Sequence, residues 1–208
     1  ELAPFHTWLP DSYSEAPSPV SALLSGMLAS CAFLAVLRFF AVTPDQLREF
    51  GQVLLIALGL TSLATAAFFI ARQNDYKRML AYSSVEHMGL ATIMLALGGV
   101  ELAVLHCVGH ALIKTMLSLT AGNIQLGCGI RTIRDIGGLL ERMPRNAILW
   151  LAGLFLISGT PPSPLFVTEF VLVRRAGPVL GGIILLLLFV IFAGMSQAMV
   201  KMCMGAGD

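Results

Sequence analysis

The stretch GQVLLIALGLTSLATAAFFIA, residues 51–71, carries no charged side chain and is closed by the polar cluster Arg72-Gln73-Asn74-Asp75-Tyr76-Lys77-Arg78. As a helix, a run of about 20 apolar residues spans the roughly 30 Å hydrocarbon core of a bilayer. One such run also fits a wholly buried helix of a soluble core. Its neighbours remove the ambiguity: residues 19–37 form a second run, led in by Ala16-Pro17-Ser18-Pro19 and closed by Arg38, and residues 178–200 form a third. The whole chain of 208 residues is 57% hydrophobic and 12% charged, with a mean hydropathy of +0.83. Soluble domains hold roughly 45–50% apolar residues. A membrane is the solvent that this composition fits, and a soluble enzyme domain is excluded.

Three further segments are polar where lipid forbids it. Residues 79–98 carry Glu86 and His87 near their middle, and residues 102–125 carry His106, His110 and Lys114. Residues 147–173 are interrupted by Ser158-Gly159-Thr160-Pro161-Pro162-Ser163-Pro164, where three prolines remove backbone donors and clash with preceding carbonyls. The expectation is an all-α, polytopic transmembrane bundle of about six segments, the fifth broken between Ser158 and Pro164. Residues 1–208 read as a single transmembrane domain. The start, without an initiating Met or a basic leader, reads as the interior of a longer protein. His6, Trp8, Asp11 and Glu15, set among Pro4, Pro10, Pro17 and Pro19, suggest a non-helical lead-in or a solvated loop. Basic residues set the orientation. Arg72, Lys77 and Arg78 in one loop, and Arg131, Arg134, Arg142 and Arg145 in another, place both loops on the cytoplasmic side, with Lys201.

The net charge of +1 offers no basic face for a phosphate backbone, so nucleic acid is not an expected partner. Cys31, Cys107, Cys128 and Cys203 lack paired spacing, which argues against a metal site or iron–sulfur cluster. No glycine-rich nucleotide loop occurs, so no cofactor is expected on this chain.

The chemistry lies in the intramembrane polar residues. His106, His110 and Lys114 recur at i, i+4 and i+8, one helix face over two turns with about 6 Å per step. A lysine at mid-membrane costs about 2.5–3.5 kcal/mol on insertion scales and normally faces protein or water. Imidazoles titrate near neutral pH and pass protons between neighbours. The row is a relay geometry; its structural alternative is histidines that hydrogen-bond neighbouring helices and a lysine held by a carboxylate. Glu169 follows the helix break, where irregular backbone is tolerated only beside protein or water. It is either a terminal proton acceptor or a partner for Arg174 or Arg175. Glu86 and His87 are a further titratable pair, or Glu86 holds Lys114 or another cation in place.

Longer stretches carry a resemblance. Pro4-Phe5-His6-Thr7-Trp8-Leu9-Pro10-Asp11, residues 15–23 (EAPSPVSAL), residues 75–89 (DYKRMLAYSSVEHMG) and His110-Ala111-Leu112-Ile113-Lys114 resemble the antiporter-like subunits of complex I and its relatives. Ser83 to Gly89, residues 131–144 (RTIRDIGGLLERMP) and Gly159-Thr160-Pro161-Pro162 look closest to the hydrogenase-4 component F type, found in membrane-bound nickel–iron hydrogenase and formate hydrogenlyase complexes. The resemblance covers essentially the whole chain. It implies about fourteen helices in two inverted five-helix repeats, each with one broken helix, of which this chain covers the end of the first repeat and most of the second. It also implies a central lysine linked through histidines and water to a terminal Lys or Glu, roles that fall on Lys114, on His106 and His110, and on Glu169. The bridging Lys or His of some relatives is Ser30 or Ser25 here.

The function so read is a proton-translocating subunit of a redox-driven complex in a prokaryotic plasma membrane, without catalytic chemistry of its own. Its partners would be other membrane subunits and a peripheral redox module of the NADH dehydrogenase or nickel–iron hydrogenase type. The alternatives are a subunit of an Mrp-type cation/proton antiporter and a truncated structural subunit.

Overall fold

The computed structural model describes residues 2–205, and among them the regular structure is helical. The elements are α1 (Leu9–Glu15), α2 (Ser18–Leu23), a π-helical turn (Leu24–Leu28), α3 (Ala29–Ala41), α4 (Asp45–Ile70), α5 (Tyr76–Ala96), α6 (Val100–Cys128), α7 (Leu139–Arg142), α8 (Pro144–Ile157) and α9 (Pro164–Met204). Four helices of the described residues are long and apolar enough to cross a membrane: Ser18–Ala41, Asp45–Ile70, Val100–Cys128 and Pro164–Met204. The last bends at Gly177, whose φ of 75° leaves the helical region immediately before Pro178. With α5, α8 and the part of α9 before that bend, the six expected membrane segments are accounted for.

Sequence chemistry fixes the boundaries. Asp75 caps α5, its carboxylate accepting from the Lys77 and Arg78 amides at 2.8 and 3.1 Å. Gly129, at φ 72°, ends α6 in the left-handed conformation typical of helix C-termini. The fifth segment breaks where expected, with α8 ending at Ile157 and α9 opening at Pro164 behind the Ser163 cap.

Three expectations need correction. The lead-in is not wholly irregular, because Leu9 and Tyr13 bury one face of α1 against α5. α4 starts at Asp45 rather than Gly51, its polar first turns extending past the apolar run. The first span is not uniform α-helix but contains the π turn at Leu24–Leu28.

The least apolar of the long helices sits in the centre. In α5 every residue but Arg78 and Tyr82 is buried, and α1, α3, α4, α6 and α9 pack around it. Close approach makes this possible: a Cβ on Gly89 would meet the Gly59 carbonyl oxygen at 2.9 Å, and one on Gly59 would meet the Gly89 oxygen at 2.8 Å. Without side chains there, the α4 and α5 backbones touch, as small residues allow in membrane bundles. The outer surface is correspondingly apolar, with Phe39, Leu126, Val179 and Phe189 exposed.

The two basic loops meet at one end. Arg78 pairs with Asp11 at 2.6 Å, Arg131 with Glu15 at 3.2 Å, and the Ile133 amide donates to the Asn74 carbonyl at 2.7 Å. Arg175 lies against Gly99 at the other end. The two basic loops thus share one end of the bundle, as their expected common side requires.

Candidate functional site

The polar residues singled out from sequence face inward: His106 and His110 are 0% exposed, Lys114 1%, His87 1% and Glu86 4%. They lie as a buried polar cluster with Lys114 at one end and Glu169 at the other, and not along one helix.

At the first pole, Lys114 on α6 donates to the Leu80 carbonyl and, at 2.7 Å, to Ser83 Oγ, both on α5. One turn further along α6, Ser118 Oγ lies 3.3 Å from Ser25 Oγ of the π turn. The widened turn thus presents Ser25 to α6, whereas Ser30 donates to the Gly26 carbonyl of its own helix at 2.9 Å. Of the two positions for a bridging group, Ser25 faces the polar path.

In the middle, the three histidines interleave between helices. His87 Nδ1 lies 3.2 Å from His106 Nε2, and the His87 ring is 5.2 Å from the His106 ring and 5.0 Å from the His110 ring, centroid to centroid. His87 on α5 therefore stands between the two α6 histidines, and the path zigzags where the sequence suggested a straight row. Neither nitrogen of His110 has a hydrogen-bond partner. His106 Nδ1 meets Thr168 Oγ1 at 2.8 Å. That hydroxyl spends its own proton on the Leu165 carbonyl at 2.8 Å. In that arrangement the His106 proton is assigned to Nδ1, the lone pair on Nε2 faces His87, and His87 Nδ1–H is the donor between the two rings.

At the second pole, Glu169 lies one turn into α9, and its Oε1 is buried without a hydrogen-bond partner. The ion pairs of the described residues are Arg48–Asp45, Arg78–Asp11 and Arg131–Glu15, so neither Arg174 nor Arg175 holds Glu169. Gly159 makes room for it, because a side chain there would overlap the carboxylate and its φ of 62° suits glycine. Glu86, Ile157, Ser158 and Glu169 line a cavity of about 20 Å³, room for one water. On its other side Glu169 borders a larger cavity of about 440 Å³ between Phe166, Phe170, Phe189 and Phe192. Glu86 thus shares a cavity with Glu169, and His87 reaches His106 rather than Glu86.

Sequence reading missed Ser83, Ser118 and Thr168 as members of the polar cluster, and named Ser25 only as an alternative to Ser30. Ser118, four residues beyond Lys114, and Ser83, four residues before His87, carried a helical-spacing signal; Thr168 joins from α9 and carried none.

Residues 1–196 match the family described as "NADH:quinone oxidoreductase/Mrp antiporter, TM". The chain belongs to that family. Among the relatives, a hydrogenase-4 component F homolog of Methylacidiphilum infernorum is 36% identical over 181 residues, 84% of this chain and 38% of its own length. A probable K(+)/H(+) antiporter protein of Rhizobium meliloti is 40% identical over 162 residues, 76% of this chain and 16% of its own length. The chain therefore spans well under half the length of these curated relatives. Among solved structures, the Mrp complex from Dietzia sp. DQ12-45-1b superposes with a TM-score of 0.91 over 100% of this chain and 40% of its own, at 20% identity. The fold is that of the family's membrane subunits, and the chain is a multi-pass membrane protein.

Proposed function

We propose that this chain is the part of an antiporter-like subunit that moves protons through the membrane, within a redox-driven complex of the hydrogenase-4, formate hydrogenlyase or NADH dehydrogenase type. The observation that supports this reading is the buried cluster of Lys114, His110, His87 and His106 beside the Glu86–Glu169 cavity, inside a bundle whose outer surface is apolar. Lys114 accepts and releases a proton within its cradle of Leu80 and Ser83. The histidines pass it between α6 and α5, and water in the small cavity carries it to Glu169. Moving one proton against 100 mV takes about 2.3 kcal/mol. The work is supplied by partner membrane subunits and a peripheral redox module, and this chain contributes the end of one repeat and most of the next.

A second reading, part of a cation/proton antiporter, is favoured by the 40% identity to the Rhizobium meliloti relative. The subunits that copurify discriminate the two: a nickel–iron or NADH-oxidising module supports the first reading.

The relay is tested in proteoliposomes holding the intact complex, with proton uptake normalised to electron transfer. Lys114→Met removes the titratable group, and Lys114→Arg keeps a charge that cannot be released. Both lose most of the transport, at least tenfold, while electron transfer continues. Normal pumping by Lys114→Arg makes Lys114 a fixed counter-charge and sinks the relay.

A further inference from the structure

We propose that His87, His106 and Glu169 form a binding site for a borderline first-row divalent cation of the zinc type, seated in the middle of the polar path. Their donor atoms lie within 4.8 Å of one another, and all three residues are contributed by different helices, α5, α6 and α9.

The donors already approach metal geometry. A tetrahedral ion with bonds of about 2.0–2.2 Å sets neighbouring donors about 3.3–3.6 Å apart. His87 Nδ1 and His106 Nε2 stand 3.2 Å apart, so the two imidazoles need little displacement; the proton on His87 Nδ1 leaves as the ion enters, with His87 taking the Nε2–H tautomer, whose nitrogen has no protein partner. Glu169 completes the set by rotating its side chain, and its Oε1 has no competing hydrogen bond to break. Two histidines, one glutamate and an open fourth position are the donor set of a water-bearing zinc site.

The surroundings fit as well. A ligating imidazole normally donates its other ring N–H to a fixed acceptor, which turns the lone pair toward the metal. His106 does this through Thr168 Oγ1, leaving Nε2 as the donor atom. Charge is matched by Glu86, which lines the same small cavity as Glu169. Two carboxylates neutralise one divalent ion, and a neutral site is what burial at membrane depth requires. Paired imidazoles select zinc, copper or nickel over sodium, magnesium or calcium, which take oxygen donors. Cysteine spacing gave no hint of the site because it contains no cysteine and no two of its ligands share a helix.

Binding is read with cobalt(II) as the spectroscopic stand-in for zinc, on the purified complex with its full-length subunit. Wild-type complex takes up one equivalent with the intense visible bands of tetrahedral cobalt. His106→Gln and Glu169→Gln weaken that uptake at least tenfold, while Cys31→Ser, which removes an exposed thiol, leaves it unchanged. Absence of the bands, or variants that bind like wild type, overturns the site. A second measurement uses wild-type complex alone: X-ray absorption at the zinc edge, after loading one equivalent, finds two imidazole nitrogens, and a shell of oxygens or sulfurs alone overturns the site. The consequence for transport rests on the relay reading and separates from it. Zinc at saturation lowers proton uptake per electron at least fivefold; zinc that binds through these ligands without that effect supports the site and overturns the relay.

Discussion

The two poles of the polar path are built in opposite ways. Lys114 is held by two oxygens of α5, inside a cavity of only about 10 Å³ shared with Tyr13, Ser21 and Ser118. Glu169 has an oxygen without a hydrogen bond, sits beside a broken helix and borders about 440 Å³ of open volume. The difference teaches where movement is allowed: the lysine end is a closed cradle whose geometry α5 dictates, and the glutamate end borders an opening between phenylalanines of the apolar outer surface. Both poles nonetheless depend on α5, which supplies Leu80 and Ser83 to one and Glu86 and His87 to the other.

The largest effect should come from breaking that shared support. In Gly89→Leu the new side chain meets the Gly59 carbonyl, which is backbone and cannot step aside. The cost is about 1–3 kcal/mol. Assembled complex, measured by native electrophoresis and thermal unfolding, should fall sharply and both poles should fail together; normal assembly would mean that the α4–α5 contact does not hold the path. Next in size is a direct contrast of the poles. In a background without the four native cysteines, Glu169→Cys should react with a small membrane-permeant thiol reagent at least tenfold faster than Lys114→Cys, and equal rates would erase the distinction between open and closed ends. Ser83→Ala removes one of the cradle's oxygens, a loss of about 1–2 kcal/mol. It should lower proton uptake severalfold while leaving thiol access at position 169 unchanged. The smallest effect separates the two serines of the first span. Ser25→Ala should reduce transport by a factor of about two through the lost Ser118 contact, and Ser30→Ala should leave stability within about 0.5 kcal/mol and transport unchanged. Equal effects would remove Ser25 from the path.

Much of this architecture is legible in the chain's residues. The three prolines after Ser158 dictated the break between Ile157 and Pro164, because a residue without an amide proton cannot continue a helix. The inward direction of His106, His110 and Lys114 followed from their one-face spacing and from the cost of polar groups in lipid. The zigzag through His87 was not readable, since spacing along α6 says nothing about which α5 side chain inserts between its turns. The π turn was hidden for a related reason: Leu24-Ser25-Gly26-Met27-Leu28 is compatible with ordinary helix, and only the packing of Ser25 and Gly26 against α6 distinguishes it.

Hydropathy by itself determined that the chain lies in a membrane, roughly where its segments begin and end, and which residues cannot face lipid. These follow from one-dimensional rules, in which each residue is weighed against a uniform solvent. The tertiary structure alone decided which polar groups touch. His87, His106, Thr168 and Glu169 come from three helices separated by up to 82 positions in the sequence, and their meeting depends on the crossing of α5, α6 and α9 about a glycine contact on α4. No local pattern encodes such a meeting, because the free energy that fixes it belongs to packing among helices rather than to any one of them.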